Sequence, residues 1–236
     1  MTLVRSKGIE AYRFDFDSLR PGHMIHHKIV TLVCHRVNWV HENYGRGSVW
    51  YLPPAFADDV FSGKTREQLI DTYYKDWMPK YPRLKYIYVP INTSTDHWFL
   101  MVISLQLNTI CHLDSYCRIG DLKPRRGTMT IISHTLDEML SSGLYGNTFL
   151  GRSIYFKDWP IEEAHGIPNC GHSNNAAVWV IYWIDMDQYF TPNLQGELKE
   201  NIIRVKTAAT LMQGMYNEMW AFIEDEAKKL WALIAT

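Results

Sequence analysis

The sequence is short of the features that send a chain into a membrane, onto a nucleic acid or into an oxidising compartment. Its longest apolar run, AAVWVIYWI at 176–184, is nine residues, well below the roughly 20 that a bilayer-spanning helix needs, so no membrane span is expected. Charge of either sign is not in excess: 24 Lys and Arg stand against 25 Asp and Glu, a formal net charge of −1. With only short basic clusters such as KPRRG at 123–127, the field needed to grip a phosphate backbone is missing, and nucleic-acid binding is not expected. Cysteine is sparse. Cys34, Cys111, Cys117 and Cys170 have no paired spacing, which fits reduced thiols of an intracellular protein and not a disulfide framework. The opening MTLVRSKGIEAYRFDFD has no apolar core and no cleavage site, so no secretory signal is expected. Repeats and low-complexity linkers are also lacking.

What is present is a well-stocked interior. The 236 residues are 47% hydrophobic and 14% aromatic, enough for one sizeable core and a single domain over 1–236. DSLRPGHMIHHKIVTLVCHRVNWVHEN (17–43) keeps Met24, Ile25, Ile29, Leu32, Val33 and Val37 at roughly helical spacing, with Asp17 and Ser18 as candidate caps. SVWYLPPAFADDVFSG passes a Pro-Pro break into a short helical stretch, and TREQLIDTYYKDWM is a further amphipathic helix. The character then changes. KYIYVPIN (85–92), HWFLMVISLQ (97–106) and TICHLDSY (109–116) are rich in aromatic and β-branched residues and are divided by turn formers, which predicts three consecutive antiparallel strands. GTMTIISHTLDEMLSSG (127–143) returns to helical spacing, and SIYFKDW (153–159) reads as one more strand. A buried helix is expected over 176–187, then two helices from 196 to 236 with Met219, Ile223, Ala227, Leu230 and Ile234 in a stripe, a surface for either core or partner. Helices before and after a central sheet make an α+β domain.

The main chemical constellation lies mid-chain. His97 starts one predicted strand and Asp114 ends the next. In a hairpin about QLNT the two are expected close to opposite each other near its open end, and a carboxylate there would orient an imidazole as a nucleophilic hydrolase requires. Farther on, EAHGIPNCGHSNN runs directly into AAVWVIYW. A helix N-terminus lowers a thiol pKa and offers backbone N–H groups to an oxyanion, so the junction suits a cysteine. The junction residues are Ala176 and Ala177.

Taken in order, HWFLMVISLQLNTICHLDS and then a polar loop entering AVWVIYW resembles the ubiquitin-like-protein protease family, the SUMO-protease type of papain-related cysteine peptidases, and within it the copies associated with plant transposable elements. The likeness covers about residues 15–187. It implies a circularly permuted papain-like fold with a mostly antiparallel central sheet flanked by helices. It implies His97 as the catalytic histidine, Asp114 as the third triad member and Trp98 as the tryptophan covering a substrate's Gly-Gly tail. A ubiquitin-like protein would be the partner, the location nucleus or cytoplasm, and no cofactor or metal would be needed. The same alignment sets Ala176 at the nucleophile and Cys170 at the oxyanion-hole glutamine. A methyl group cannot attack a carbonyl, and loss of a nucleophile from such a unit costs on the order of 10⁶ in rate. The expectation is therefore a family member that has lost peptidase chemistry and acts, if at all, by binding. An engineered Cys-to-Ala change would have left the glutamine in place. The family's Trp-Leu-Asn-Asp-like stretch in the opening helix, used partly for substrate contact, is MIHH at 24–27.

The alternative is an active thiol peptidase using Cys170 with His97 and Asp114. Cys170 is followed by six polar or small residues before the apolar helix, so it would lack the helix's help in stabilising a thiolate. Of the remaining histidines, His23 and His27 stand at i, i+4 beside His26 and His35, but no Cys or carboxylate set completes a zinc spacing; the loose group His165, Cys170 and His172 also lacks a fourth ligand. Val178, Trp179, Tyr182 and Trp183 read as core packing.

Overall fold

A computed structural model describes residues 1–44, 48–79, 81, 84–93, 97–141, 155–164, 166–167, 169, 173–186 and 199–234. The chain opens on an antiparallel hairpin, β1 (Thr2–Ser6) and β2 (Ile9–Tyr12), turned by Lys7 and Gly8 at φ 45° and 81°. Positive φ at both turn residues matches the twist of a two-residue hairpin. After α1 (Arg13–Asp17) the chain bends through Pro21 and Gly22, the latter at φ 79°. That bend overrides the continuous opening helix expected from Asp17. The helix proper, α2, is His27–Asn43, and its cap is His26, whose Nδ1 accepts the Lys28 N–H at 3.3 Å. Asp17 and Ser18 instead end α1. His23 lies before α2, so the i, i+4 histidine pair does not form.

Next come β3 (Val49–Tyr51), α3 (Ala55–Phe61) and α4 (Arg66–Trp77). The three expected strands follow as β4 (Tyr86–Asn92), β5 (Trp98–Ser104) and β6 (Thr109–Leu113), paired antiparallel in order. After α5 (Ile119–Leu140), β7 (Ile161–Glu163) joins the sheet beside β6. The five-stranded order is β3-β4-β5-β6-β7, antiparallel at the centre and parallel at both edges. Every residue of β5 is buried, as expected when helices cover both faces of a sheet.

Helix α5 begins well before position 127 and runs through Pro124. Proline costs that turn one hydrogen bond, but Asp121 accepts from both the Arg118 N–H and its Nε, which stabilises the first turn. The segment expected as a strand over 153–159 is, where described, a 3₁₀ turn at Phe156–Asp158. Asp137 decides this by accepting the N–H groups of Phe156 and Lys157 at 2.7 and 2.9 Å, which folds the chain back on α5 and leaves β7 to start at Ile161.

Helix α6 (Ala176–Asp185) packs on β5 and α2. Of Val178, Trp179, Tyr182 and Trp183, all but Tyr182 are buried, and the Trp179 and Trp183 rings lie 5.9 Å apart. A helix apolar nearly all round belongs inside. The chain ends on α7 (Glu200–Met212) and α8 (Trp220–Ile234). Among the described residues, no helix is long and apolar enough to cross a membrane.

Candidate active site

The β5–β6 register pairs Leu100 with Leu113 and Met101 with His112. Continued to the open end, it puts Asp114 across from Phe99, so His97 and Asp114 are diagonal neighbours on one face and not directly opposite. Such diagonals lie within reach of long side chains. His97 Nε2 is 2.8 Å from Asp114 Oδ1. A carboxylate only accepts, so Nε2 carries the proton and Nδ1 is left as the ring's acceptor. Thr93 fixes the residue's backbone: the His97 N–H donates to Thr93 Oγ1 at 3.2 Å and the His97 carbonyl accepts the Thr93 N–H at 2.8 Å.

Asp114 serves more than His97. Its Oδ1 also accepts the Tyr116 N–H at 2.9 Å, and its Oδ2 pairs with the Arg125 guanidinium from α5. Arg125 reaches the Tyr116 carbonyl at 3.2 Å and Asp121 at 3.4 Å, and lies over the Phe99 ring. Behind it, His112 donates from Nδ1 to Glu163 at 2.6 Å while its Nε2 lies 3.5 Å from Asp114 Oδ2. Arg126 closes this end against Glu163 at 3.3 Å. The carboxylate at the centre is thus balanced by a guanidinium, and its charge is not left over to protonate the imidazole. Burial, followed by the Arg125 charge, brings the His97 pKa down from 6.5 to about 4. His97 is therefore a neutral, oriented base at neutral pH.

The third element is the head of α6. Ala176 is its first residue; it and Ala177 are buried. Asn175, just before it, donates to Glu200 at 2.5 Å and accepts from Arg204 at 3.0 Å. Arg204, buried on α7, also donates to the carbonyls of Ser18, Arg20 and His23. One guanidinium thereby ties the start of α6 to the bend before α2. Trp98 is the first residue of β5, pairs with Asn92 in the register and is only 3% exposed, its ring 6.0 Å from that of His27. Cys170, His165 and His172 lie outside the described residues. The other three thiols are not poised to react: burial raises Cys34 well above the usual thiol range, and burial with nearby carboxylates raises Cys111 and Cys117 to about 11.

Residues 58–186 match the model of the Ulp1 protease family, C-terminal catalytic domain. The chain belongs to the Ulp1 protease family. The matched stretch carries His97, Asp114 and Ala176. Among curated proteins none matches the sequence. Solved structures similar to the chain include the SUMO protease Ulp1 with its catalytic cysteine oxidised to a sulfenic acid (16% identity, TM-score 0.66, covering 89% of this chain and 87% of that one). A Chaetomium thermophilum Ulp1-like SUMO protease catalytic domain is 16% identical at TM-score 0.65, covering 93% and 85%. The C-terminal Ulp1 protease domain in complex with Smt3, the yeast ortholog of SUMO, is 17% identical at TM-score 0.63, covering 90% and 86%. At these identities the likeness fixes the fold, the Ulp1-like α+β architecture.

Sequence reasoning missed Arg125, His112 and Glu163 around Asp114, and Asn175 and Arg204 at α6. His112 lies two residues before Asp114 on the same strand face, a signal that was present in the sequence. Arg125 and Arg204 act over distances that only the folded chain supplies.

Proposed function

We propose that this is a SUMO-protease-like cysteine peptidase domain, of the type carried by plant transposable elements, whose nucleophile has been replaced by Ala176, and that it now binds a ubiquitin-like protein without cleaving it, in nucleus or cytoplasm. One observation carries the reading: the residue heading α6 is a buried alanine in a chain that keeps the buried His97–Asp114 hydrogen bond. In this reading His97 is a base with no proton to take, and Ala176 supplies nothing that can add to a carbonyl. In the sequence alignment Cys170 stands where the family has its oxyanion-hole glutamine, and a thiol is a far weaker hydrogen-bond donor than an amide. Both changes remove transition-state stabilisation and leave binding of the ground state as the remaining role.

Trp98 remains the candidate for covering a Gly-Gly tail, and the neighbour solved with Smt3 makes a SUMO-like fold the first partner to try. The test is calorimetric titration of the full chain with a SUMO precursor that still carries its C-terminal extension, with the mixture then run on a gel. Saturable binding that weakens when the partner lacks its diglycine, with the precursor intact, is expected. Cleavage by the unmodified chain, abolished by Cys170→Ser, would replace this reading with the Cys170 peptidase. Absence of binding to every ubiquitin-like protein tried would remove the binding role.

A further inference from the structure

The first turn of α2 depends on a single histidine nitrogen with two competing neighbours. Nδ1 of His26, the residue capping α2, accepts the Lys28 N–H at 3.3 Å and lies 3.6 Å from Asp15 Oδ1. A cap of this kind needs a lone pair on that nitrogen, so it exists only while the imidazole is neutral with its proton on Nε2. In the imidazolium both ring nitrogens are donors. The Lys28 N–H would then face another N–H.

Asp15 is placed to receive the proton that breaks the cap. Its side chain is fully buried, yet its two oxygens are unequally served. Oδ2 accepts the Tyr12 N–H at 2.8 Å and the Lys28 ammonium at 3.2 Å. Oδ1 accepts no hydrogen bond among the described residues. A buried carboxylate oxygen without a donor is costly, and a charge-assisted bond from an imidazolium is roughly twice as strong as a neutral one. Lys28 is held on the Oδ2 side, its Nζ 5.5 and 5.6 Å from the ring centroids of Tyr12 and Phe14. The His26 side chain is 55% exposed, so solvent protons reach it. The positive end of α2 and the Lys28 ammonium both oppose a cation at residue 26, but the helix-end effect is screened at an exposed side chain, whereas the Asp15 carboxylate is shielded from water. The other charges nearby are matched: Glu10 by Arg5 at 2.7 Å and the Tyr12 hydroxyl at 2.5 Å, His27 by Asp58 at 3.2 Å, and Asp17 by Arg20 at 3.0 Å.

We propose that His26 is a proton-operated latch at the head of α2. Neutral, it caps the helix. On taking a proton from solvent at Nδ1 it releases the Lys28 N–H and turns to Asp15 Oδ1, which ties residue 26 to α1 and loosens the first turn of α2. The latch lies in MIHH at 24–27, the counterpart of the family's substrate-contact stretch. On the reading proposed above, a ubiquitin-like partner gripping that stretch would bind more weakly in acid; the latch itself is read in the free chain, so either can fail without the other.

NMR of the ¹⁵N-labelled full chain, titrated between about pH 8 and pH 5 where imidazoles change charge, tests this. The His26 Nδ1 resonance is expected to move from the position of an unprotonated ring nitrogen to that of a protonated one. In step with it the Lys28 amide proton should shift upfield, and its protection against exchange should fall about fivefold, the worth of one cap bond. His26→Asn, which caps without titrating, should remove the response at Lys28. Asp15→Asn takes away the competing acceptor and should keep the Lys28 bond to lower pH, while His27→Gln should leave the response in place. Backbone shifts in β5 and α6 check that each variant is folded. A His26 Nδ1 protonated throughout, a Lys28 amide indifferent to pH, a response that survives in His26→Asn or vanishes in His27→Gln, or one unmoved by Asp15→Asn would each overturn the proposal.

Discussion

Asp114→Asn isolates what the buried carboxylate does, because it preserves shape and removes charge. In the folded chain it would leave the Arg125 guanidinium, with only 9% of its side chain exposed, facing an amide; its remaining counter-ion would be Asp121 at 3.4 Å. The amide still offers one oxygen to the His97 Nε2–H or to the Tyr116 N–H. Removal of one partner from a buried ion pair costs about 3–5 kcal/mol, and the retained Asp121 contact sets the expectation at the lower end, about 3 kcal/mol. For a chain of this size that corresponds to a fall in Tm of roughly 6–12 °C. Urea unfolding read by the nine tryptophans is the assay, with an unchanged m value as the check that the transition is still the same one. Arg125→Met should cost a similar amount, and the double variant should fall short of the sum by about 1–3 kcal/mol because the two side chains act as a unit. Single losses under about 1 kcal/mol that simply add would refute the view of Asp114 as an ion-pair hub.

If the hub holds, the presence of His97 and Asp114 together has a physical cause apart from catalysis. Asp114 anchors α5 to the sheet through Arg125 and shapes the chain after β6 through the Tyr116 N–H. Its loss would destabilise the fold whether or not any peptide bond is cut. A retained His–Asp pair is therefore weak evidence for activity in this family.

Acid should unfold the protein early. Burial first, then a neighbouring cation in each case (Arg125 and Lys7), lowers the folded-state pKa of His97 and of His35 from 6.5 to about 4. The unfolded chain then binds more protons between those values, so stability is level above pH 6.5 and falls as pH drops toward 4, by up to about 3 kcal/mol for each residue; denaturation midpoints across that range check it, and His97→Gln should flatten the slope. Arg204→Met should strand the carbonyls of Ser18, Arg20 and His23 and cost about 3 kcal/mol or more, with faster proteolysis between residues 18 and 26 as the local readout. Asp137→Ala should release the N–H groups of Phe156 and Lys157 at about 1–3 kcal/mol, measured by unfolding and by quicker amide exchange at those two positions.

The central strands and α6 were legible because their signals are local and strong: β-branched and aromatic runs bounded by turn residues, and one apolar stretch too continuous to be anything but interior. The hairpin β1–β2 was equally local, with Lys7-Gly8 between alternating segments, but it lies in a stretch weighed only as a possible leader. The opening helix was drawn too long because apolar spacing was allowed to outvote Pro21-Gly22. The error at 153–159 has a different origin. The 3₁₀ turn is imposed by Asp137 from a helix residue about twenty positions earlier, and α5 tolerates Pro124 because Asp121 and Arg125 tie its first turns down. No window of local sequence contains those partners. At the site, the His97–Asp114 pairing followed from strand order, whereas the charge balance around Asp114 depends on Arg125 arriving from a separate layer.

The proposal that Ala176 replaces the nucleophile is tested most directly by covalent labelling with an electrophilic SUMO-type probe, run side by side on the unmodified chain, on Ala176→Cys combined with Cys170→Gln, and on that double variant carrying His97→Ala. Labelling confined to the double variant, and lost when His97 is removed, is the predicted result. Labelling of the unmodified chain that disappears on Cys170→Ser would contradict it.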